Sequence, residues 1–271
     1  MTPAELYKVC VDGLAGYVRE AGFSDVVIGL SGGIDSSLVA VMCVEAFGAE
    51  HVHGVLLPGP YSTDHSVSDA QDLARNLGIE AQTISICEPF EAFEKVMRKP
   101  CGGDMRGLAA ENTQARCRMV VLMALSNNYG WMLVNTGNKS EACMGYSTLY
   151  GDTAGAFAPL GCIYKTDVFA ISRWLNERAL DEGRPAPIPE HVITKPPSAE
   201  LSPDQEDERS MGVDYATLDK ILVRYVERGE GVDEIAAAGF DRALVERIAH
   251  TTDGYAFKRA VEPPYPAGSL Y

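Results

Sequence analysis

A turn rich in glycine and serine stands between an apolar run and a helix-forming stretch near the start of the chain. The turn reads Ser31-Gly32-Gly33-Ile34-Asp35-Ser36-Ser37. The preceding Asp25–Leu30 predicts a buried parallel strand, and the following Leu38–Phe47 predicts a helix. Such a junction leaves unpaired backbone N–H groups at a helix N-terminus, where they and the helix dipole favour an anion. We therefore expect phosphate to bind here.

The carboxylate of Asp35 fits a phosphate site only if a divalent cation lies between the two groups, because hard cations take oxygen ligands from both. The alternative is a helix start in which Asp35 is only a first-turn charge. The turn lacks the lysine of a Walker loop and is not GxGxxG. It resembles the SGGxDS loop of the N-type ATP pyrophosphatases. That resemblance implies adenylylation of a carboxyl or carbonyl oxygen with release of pyrophosphate.

A second junction further along the chain offers matching chemistry. Trp131–Asn135 predicts a strand that runs into Thr136-Gly137-Asn138-Lys139-Ser140-Glu141. Thr136 places a hydroxyl at the carboxyl end of this strand, and Glu141 offers a carboxylate that completes the cation shell begun by Asp35. Two carboxylates from adjacent junctions are suited to hold magnesium against a triphosphate.

Alternating strands and helices must position these two turns. Strands are predicted at Asp25–Leu30, His51–Leu57, Glu80–Ile86 and Trp131–Asn135, and helices at 3–21, Leu38–Phe47, Asp64–Leu77 and Glu111–Tyr129. This order is typical of an α/β fold, a doubly wound parallel sheet with right-handed crossovers and flanking helices. Apolar stripes predict a helical C-terminal third. The first helix is expected to pack beside the sheet or against a second subunit. We expect one domain over residues 1–271.

Irregular segments border the expected site. Pro58–Ser62 follows the second strand and is a candidate wall for adenine. Gly102–Gly107 is either slack or a loop that orders over ligand. The proline-rich stretch 183–203 predicts no regular structure and is either a solvated linker or a lid. Arg116 and Arg118 suit the capture of phosphate or carboxylate, although surface arginines are the commoner case.

Composition excludes several classes of function. The net charge of −15 argues against nucleic-acid binding. No apolar run approaches the ~20 residues of a membrane span, and the N-terminus lacks a signal-peptide pattern, so we expect a cytoplasmic protein. The seven cysteines show no CxxC pair or zinc-ligand spacing and are expected to be reduced and mostly buried. His51 and His53 have no acidic partner in the sequence pattern and are interpreted as structural.

Several further motifs occur in the order typical of NAD synthetase, and the sequence resembles that family over residues 5 to 262. They are Gln114-Ala115-Arg116, the 136–141 turn, Gly145-Tyr146-Ser147-Thr148-Leu149-Tyr150-Gly151-Asp152, Tyr164-Lys165-Thr166 and Lys195–Leu201. The resemblance implies a ligase that adenylylates the nicotinate carboxylate of deamido-NAD with ATP and releases pyrophosphate. Ammonia then attacks the mixed anhydride to give NAD and AMP.

The resemblance also implies a role for each matched residue. The ATP phosphates would contact Gly29, Leu30, Ser31, Gly32, Gly33, Ile34, Asp35 and Ser36, with Thr136, Lys165 and Ser198 reaching ATP or the leaving pyrophosphate. Magnesium would be bound by Asp35 and Glu141. Deamido-NAD would be contacted by Asn112, Arg116, Glu141 and Lys258. Asp152 would lie near the nicotinate and the ammonia, and the expected catalytic set is Asp35, Glu141, Lys165 and Asp152.

Three departures bear on the nitrogen source. Leu149, Ala156 and Phe257 stand where stand-alone ammonia-dependent members usually have lysine, aspartate and histidine. The sequence is closer to the synthetase half of the larger glutamine-dependent enzymes, but their amidase half does not appear in it. We expect the nitrogen to come from free ammonia or from a separate glutaminase. The family resemblance also implies a homodimer. Guanylate synthetase, tRNA thiolation enzymes and a non-catalytic nucleotide sensor are the rival interpretations.

Overall fold

Four short segments pair into one parallel sheet in the computed structural model, which describes residues 1–268 and 270–271. The strands are β1 (Val26–Gly29), β2 (Val52–Leu56), β3 (Glu80–Thr83) and β4 (Met132–Leu133), in the order β3-β2-β1-β4. β1 is central and pairs with β2 on one side and β4 on the other. The direction of connection therefore reverses at β1, and the carboxyl ends of β1 and β4 lie side by side.

Helices cover both faces of the sheet and make up the C-terminal third. They are α1 (Pro3–Glu20), α2 (Ile34–Phe47), α3 (Asp64–Leu77), α4 (Cys87–Met97), α5 (Leu108–Tyr129), α6 (Lys139–Met144), α7 (Lys165–Asp181), α8 (Glu190–Thr194), α9 (Asp207–Met211), α10 (Tyr215–Leu222), α11 (Val232–Ala237), α12 (Arg242–Gly254) and α13 (Ala256–Arg259). A 3-10 turn at Ala49–His51 and a π-turn at Val223–Glu227 complete the pattern. No helix among the described residues is both long and apolar enough to cross a membrane.

The central strand is buried on both faces, as a parallel sheet covered by helices requires. Because side chains alternate along a strand, Val26 and Ile28 enter one apolar cluster and Val27 enters another. The first cluster includes Leu14 of α1 and Leu38 of α2. The second cluster takes side chains from α4 and α5. Thus α1 packs beside the sheet, which was one of its two predicted positions.

The C-terminal helices form a third apolar cluster of their own. Leu218 of α10, Ile235 of α11 and Ile248 of α12 are fully buried there. Cys143 of α6 and Tyr164, which precedes α7, join the same cluster. The helical third is therefore packed directly against the two helices that follow the fourth strand.

The parallel α/β architecture is confirmed, with differences at the ends of elements. Helix α3 has its predicted bounds, with the Thr63 side chain capping its start and Gly78 in the left-handed region at its end. Helix α2 begins at Ile34 instead of Leu38, so Asp35 and Ser36 lie in its first turn. Strand β4 is shorter than predicted. Val134, which follows it, still donates its N–H to the Val27 carbonyl at 3.0 Å and also forms an isolated parallel bridge with Phe157.

The structure decides the predictions for the proline-rich stretch and for the burial of the cysteines. The expectation of no regular structure in the proline-rich stretch is wrong, since α8 lies within it and Pro189, with its restricted φ, stands at the helix start. Five of the seven cysteines are buried, which confirms the prediction of mostly buried thiols.

The expectation that His51 and His53 lack an acidic partner is wrong. Asp25 Oδ1 lies 3.3 Å from His51 Nδ1 and 3.1 Å from His53 Nε2. The pairing follows from the sheet register, which sets Val26 beside Val52 and brings the residue before β1 next to the start of β2. These histidines therefore lie at the amino ends of the strands, away from the phosphate turn.

Gly32 in the phosphate turn has a φ of +76°, and a Cβ there would overlap the carbonyl oxygen of Ser66 at the start of α3. Gly78 has a similar φ of +67° but open space around it. We expect Gly78→Ala to lower the free energy of unfolding by about 1–2 kcal/mol, the cost of the left-handed backbone. Gly32→Ala should cost more because α3 must also move. Urea unfolding of both variants measures the difference, and equal losses would contradict the close contact between the turn and α3.

Candidate active site

A cavity of about 1040 Å³ opens at the carboxyl edge of the sheet. Its wall contains residues that follow β1, β2 and β4, together with parts of α5, the segment 195–207 and the C-terminal region. Pockets for single small molecules are usually ~300–1000 Å³. The cavity therefore lies at the upper end of the range for ligand pockets. Pro58, Tyr61 and Ser62 of the predicted adenine wall line it.

The turn after β1 is held in shape by its own hydroxyl groups. Ser31 Oγ accepts a hydrogen bond from the backbone N–H of Gly33 at 3.1 Å. Ser36 Oγ and Ser37 Oγ both donate to the Gly33 carbonyl, at 3.1 and 2.8 Å. No side chain caps the start of α2, so its first N–H groups are left for another acceptor. Of the predicted phosphate residues 29–36, all but Gly32 line the cavity.

The two predicted metal ligands lie on either side of one lysine. Lys165 Nζ donates to Asp35 Oδ2 at 2.6 Å and to Glu141 Oε1 at 3.0 Å. Lys165 itself is only 1% exposed. Asn138 connects the same groups, because its Nδ2 donates to Asp35 Oδ1 at 2.8 Å and its Oδ1 accepts from the Glu141 N–H at 3.0 Å. The adjacency of β1 and β4 thus brings the first turns of α2 and α6 together.

The electrostatics of this cluster follow from its burial. Burial raises the pKa of Glu141, while the Lys165 ammonium lowers it. Burial alone lowers the pKa of Lys165, but the carboxylates of Asp35 and Glu141 outweigh it and the net pKa is raised. Lys165 therefore remains an ammonium ion that both carboxylates share.

A buried acid on α10 fixes the distance between Glu141 and Lys165. Asp219 accepts hydrogen bonds from Ser140 Oγ at 2.6 Å and from the Thr166 N–H at 2.8 Å. Ser140 Oγ in turn accepts from the Lys165 N–H at 2.8 Å. Burial raises the pKa of Asp219, which is 3% exposed. The sequence analysis missed this residue, although an acid inside the apolar stripe of α10 was a usable signal.

The predicted dinucleotide residues gather around the loop that joins α6 to Asp152. Asn112 Oδ1 accepts from Thr148 Oγ1 at 2.7 Å, and Lys258 Nζ donates to the carbonyls of Gly145 and Ser147 at 2.6 Å each. The Asp152 carboxylate accepts from the Thr148 N–H. Enclosure by protein raises the pKa of Asp152, although water in the cavity still reaches its side chain.

The two arginines of α5 differ in position. Arg116 is exposed, lies outside the cavity wall and donates from Nε to the Leu149 carbonyl at 3.1 Å. Arg118 does line the cavity, and its Nε donates to the Leu57 carbonyl at 3.0 Å. The helical period separates them, since residues two apart do not share a face. Arg118 is therefore the arginine that the structure brings to the site.

The segment 195–207 lies across the cavity and is fastened to α3. Glu200 accepts from Thr63 Oγ1 at 2.8 Å, from the Thr63 N–H at 3.1 Å and from Ser66 Oγ at 2.7 Å. Its φ of +48° is unusual for a residue with a side chain. Ser198, also in the cavity wall, accepts the Glu200 N–H at 3.1 Å. In contrast, no residue of the 102–107 loop lines the cavity.

A second polar cluster lies at the rim of the cavity. His65, Asp69 and His191 offer ligand atoms that lie within 4.8 Å of one another. However, Lys195 Nζ already contacts Asp69 Oδ2 at 2.8 Å, and His191 Nδ1 lies 2.8 Å from the same oxygen. The ammonium supplies the positive charge that Asp69 needs. We therefore interpret this cluster as an attachment of α8 and the 195–207 segment to α3.

Comparison with known proteins supplies a family for this arrangement. The family profile described as NAD synthase matches residues 6–262. The glutamine-dependent NAD(+) synthetase of Thermotoga maritima is 47% identical over 255 residues, which are 94% of this chain and 43% of that protein. The chain spans about half the length of the curated relatives that it matches. The resemblance inferred from the motifs is confirmed.

Solved structures agree on the fold. An NMN synthetase from Francisella tularensis has a TM-score of 0.79 and 31% identity, and the match covers 96% of each chain. An NH3-dependent NAD synthetase from Campylobacter jejuni, in complex with nitrate, has a TM-score of 0.76 and 29% identity over 96% of this chain and 97% of that one. The predicted α/β fold class is confirmed by these matches.

The Asp219 network gives a prediction about stability. Asp219→Ala leaves Ser140 Oγ and the Thr166 N–H without their acceptor, so we expect the free energy of unfolding to fall by about 3 kcal/mol. Asp219→Asn keeps an acceptor oxygen and should lose less. Lys220→Gln, at the exposed next position of α10, is the matched control and should be neutral. Urea unfolding measures all three, and a neutral Asp219→Ala would show that the network contributes nothing.

Proposed function

Since the chain belongs to the NAD synthase family, we propose that it catalyses the ATP-dependent amidation of deamido-NAD to NAD. Ammonia is the proposed nitrogen donor, and AMP and pyrophosphate are the other products. One observation carries the proposal: the uncapped start of α2 and the Asp35–Lys165–Glu141 cluster lie together in the wall of one large cavity. An anion-binding helix start beside a cluster of carboxylates and an ammonium suits a reaction at a phosphate chain.

Binding of the triphosphate is assigned to the turn after β1. The free N–H groups at the start of α2 are donors aimed at an anion, and the helix dipole adds to their effect. Thr136 and Ser198 line the same cavity and are proposed to contact ATP or pyrophosphate. Donors fixed in advance need no reorganisation when pyrophosphate leaves, which is why such sites lower the barrier.

Asp35 and Glu141 are the proposed magnesium ligands. Their oxygens fit a hard divalent cation, and the fact that both already contact one ammonium shows that positive charge is stabilised between them. Bound magnesium would neutralise part of the negative charge on the phosphates. Lys165 is proposed to turn from the carboxylates towards the leaving pyrophosphate. Asp35 and Glu141 raise its pKa, so the side chain stays positively charged for this contact.

The second substrate is proposed to occupy the side of the cavity around the 145–152 loop. A carboxylate is a poor electrophile, so attachment of AMP to the nicotinate carboxyl gives ammonia a leaving group to displace. Asn112 and Lys258 hold the loop and line the cavity. Asp152 lines it too and is proposed to face the nicotinate and the incoming ammonia. Arg116 is exposed and lies outside the cavity wall, so its proposed contact with this substrate would be made at the outer edge of the cavity.

A second candidate acceptor is nicotinate mononucleotide. The structure named NMN synthetase matches 96% of this chain at 31% identity, and the same adenylylation chemistry serves a mononucleotide. The match to the NAD synthase family profile and to glutamine-dependent NAD(+) synthetases favours the dinucleotide. Both acceptors use the same cluster of Asp35, Glu141 and Lys165, so the choice concerns only the far side of the cavity.

The test is an assay with ATP, magnesium and one acceptor, either deamido-NAD or nicotinate mononucleotide. Each mixture contains either ammonium or glutamine. We expect NAD, AMP and pyrophosphate from deamido-NAD with ammonium, and no product with glutamine alone. Turnover only with the mononucleotide would replace the substrate. Formation of ADP and orthophosphate, or no cleavage of ATP with any acceptor, would reject the proposal.

The metal assignment predicts the behaviour of two isosteric variants. Asp35→Asn and Glu141→Gln should keep the fold but lose pyrophosphate formation, because each removes a negative charge from the cation site. Glu45→Gln, an exposed acid on the same helix as Asp35, should keep wild-type turnover. Pyrophosphate release with circular dichroism measures both properties, and wild-type turnover in either variant would refute the assignment.

The 183–203 stretch is proposed to act as a lid that excludes water from the adenylate. Its tip is attached to α3 through Glu200, so ligand-dependent opening and closing would break and remake these bonds. We expect ATP and deamido-NAD to slow limited proteolysis within this stretch and within 102–107. Glu200→Gln, which weakens the attachment, should be cleaved faster without ligand. Equal cleavage with and without ligands would count against a lid.

The remaining proposals concern the whole protein. We propose a cytoplasmic enzyme of one domain, residues 1–271, that binds neither nucleic acid nor membrane and takes free ammonia or ammonia from a separate glutaminase. A homodimer is also proposed, and the exposed apolar side chains Phe93, Val96 and Val120 on α4 and α5 offer surface for a second copy. Light scattering after size-exclusion chromatography measures the mass directly.

A further inference from the structure

We propose that the backbone carbonyls of Gly145 and Ser147 bind the ammonium ion that supplies the nitrogen. The inference deepens the proposed function and rests on it. In the structure these two oxygens hold the ammonium group of Lys258, whose Nζ donates to each of them at 2.6 Å. All three residues line the cavity. The lysine side chain therefore marks a position at which a small cation of the same chemistry can be held.

Tyr255 adds an aromatic face to the same position. Lys258 Nζ lies over the Tyr255 ring, 4.8 Å from its centroid, and the negative face of an aromatic ring attracts a cation. The ring packs directly on the loop, because a Cβ at Gly145 would overlap it. We call the carbonyls of Gly145 and Ser147 together with the Tyr255 ring the ammonium cradle.

The Ser147 carbonyl is made a stronger acceptor by its own peptide unit. The N–H of that unit belongs to Thr148 and donates to the Asp152 carboxylate. A negative charge at the N–H end polarises the peptide and increases the negative charge on its oxygen. Asp152 therefore strengthens the ammonium cradle through the backbone, and this effect requires no direct contact between its carboxylate and the ion.

The ammonium group of Lys258 is held by neutral partners. Among the described residues it forms no ion pair, whereas Lys165 lies between two carboxylates. Burial lowers the pKa of Lys258, and Asp152 offsets this only in part. Since hydrogen bonds between two charged groups are stronger than those to a neutral carbonyl, a phosphate or carboxylate of the second substrate would draw Lys258 out of the cradle.

An ammonium ion suits the position that Lys258 would leave. It carries the same charge as the lysine head and is of similar size, and its fourth N–H takes the direction of the lysine Nζ–Cε bond. The aromatic face and the polarised carbonyl both favour a cation over a water molecule. The ammonium cradle would therefore hold the nitrogen donor beside the 145–152 loop, where the second substrate is proposed to bind.

The first experiment locates a cation directly. Rb⁺ resembles ammonium in charge and size, and anomalous scattering locates it in crystals. Crystals of Lys258→Met and of the wild type are soaked in rubidium chloride without substrates. We expect Rb⁺ between the carbonyls of Gly145 and Ser147 in Lys258→Met, and the lysine head at that position in the wild type. A cradle without Rb⁺ in Lys258→Met would overturn the proposal.

The second experiment measures KM for ammonium and KM for the acceptor separately. Tyr255→Leu removes the aromatic face and should raise KM for ammonium about fivefold without raising KM for the acceptor. Tyr255→Phe keeps the face and should raise KM for ammonium less. Phe257→Leu is the matched control, because Phe257 is an exposed ring two positions along that lies outside the cavity wall. An equal rise of both KM values in Tyr255→Leu, or no rise in either, would overturn the proposal.

The outcomes separate this inference from the proposed function. Amidation by the wild type, with no Rb⁺ in the cradle of Lys258→Met, would overturn the cradle and leave the proposed function intact. If the wild type forms no amide from ammonium, the proposed function fails. Rb⁺ in the cradle would then show a site for monovalent cations, and its assignment to the nitrogen donor would be overturned. Circular dichroism checks the fold of each variant, and the two experiments use different variants, so one misfolded variant leaves the other test in place.

Discussion

The buried ammonium of Lys165 between Asp35 and Glu141 is the interaction on which the rest of the site depends. Charges removed from water are stable only when their partners are close and correctly oriented. Three helices must therefore begin at fixed distances from one another, since Asp35 lies in α2, Glu141 in α6 and Lys165 in α7. The pairing of β1 with β4 sets two of these starts, and Asp219 sets the third from the C-terminal third of the chain.

The same arrangement explains why the cavity has two functional sides. On one side, the uncapped start of α2 and the charged cluster suit a phosphate chain. On the other side, the 145–152 loop is held by Asn112 and Lys258 and leads to Asp152. An adenylate formed at the boundary would meet both sets of residues without moving. Glu200, with its left-handed backbone, fastens the covering segment to α3.

The relatives of this chain fall into two groups by length, and the family assignment agrees with both. Curated relatives are about twice as long, whereas the F. tularensis and C. jejuni structures are matched over nearly their whole length. The shared part is the sheet, the phosphate turn and the C-terminal helices, which together contain the adenylylation chemistry proposed here.

The sequence by itself determined the local features: the phosphate turn, the carboxylates that follow two strands, the caps of α3 and the parallel order of elements. Each of these is encoded within a dozen residues by periodicity, capping or turn chemistry. Only the tertiary structure decided that Asp219 is buried beside the cluster, that Arg118 and not Arg116 faces the cavity, and that Asp25 pairs with His51 and His53. Those relations join residues far apart in the chain, and the burial that gives them their chemical character exists only after the helices have packed.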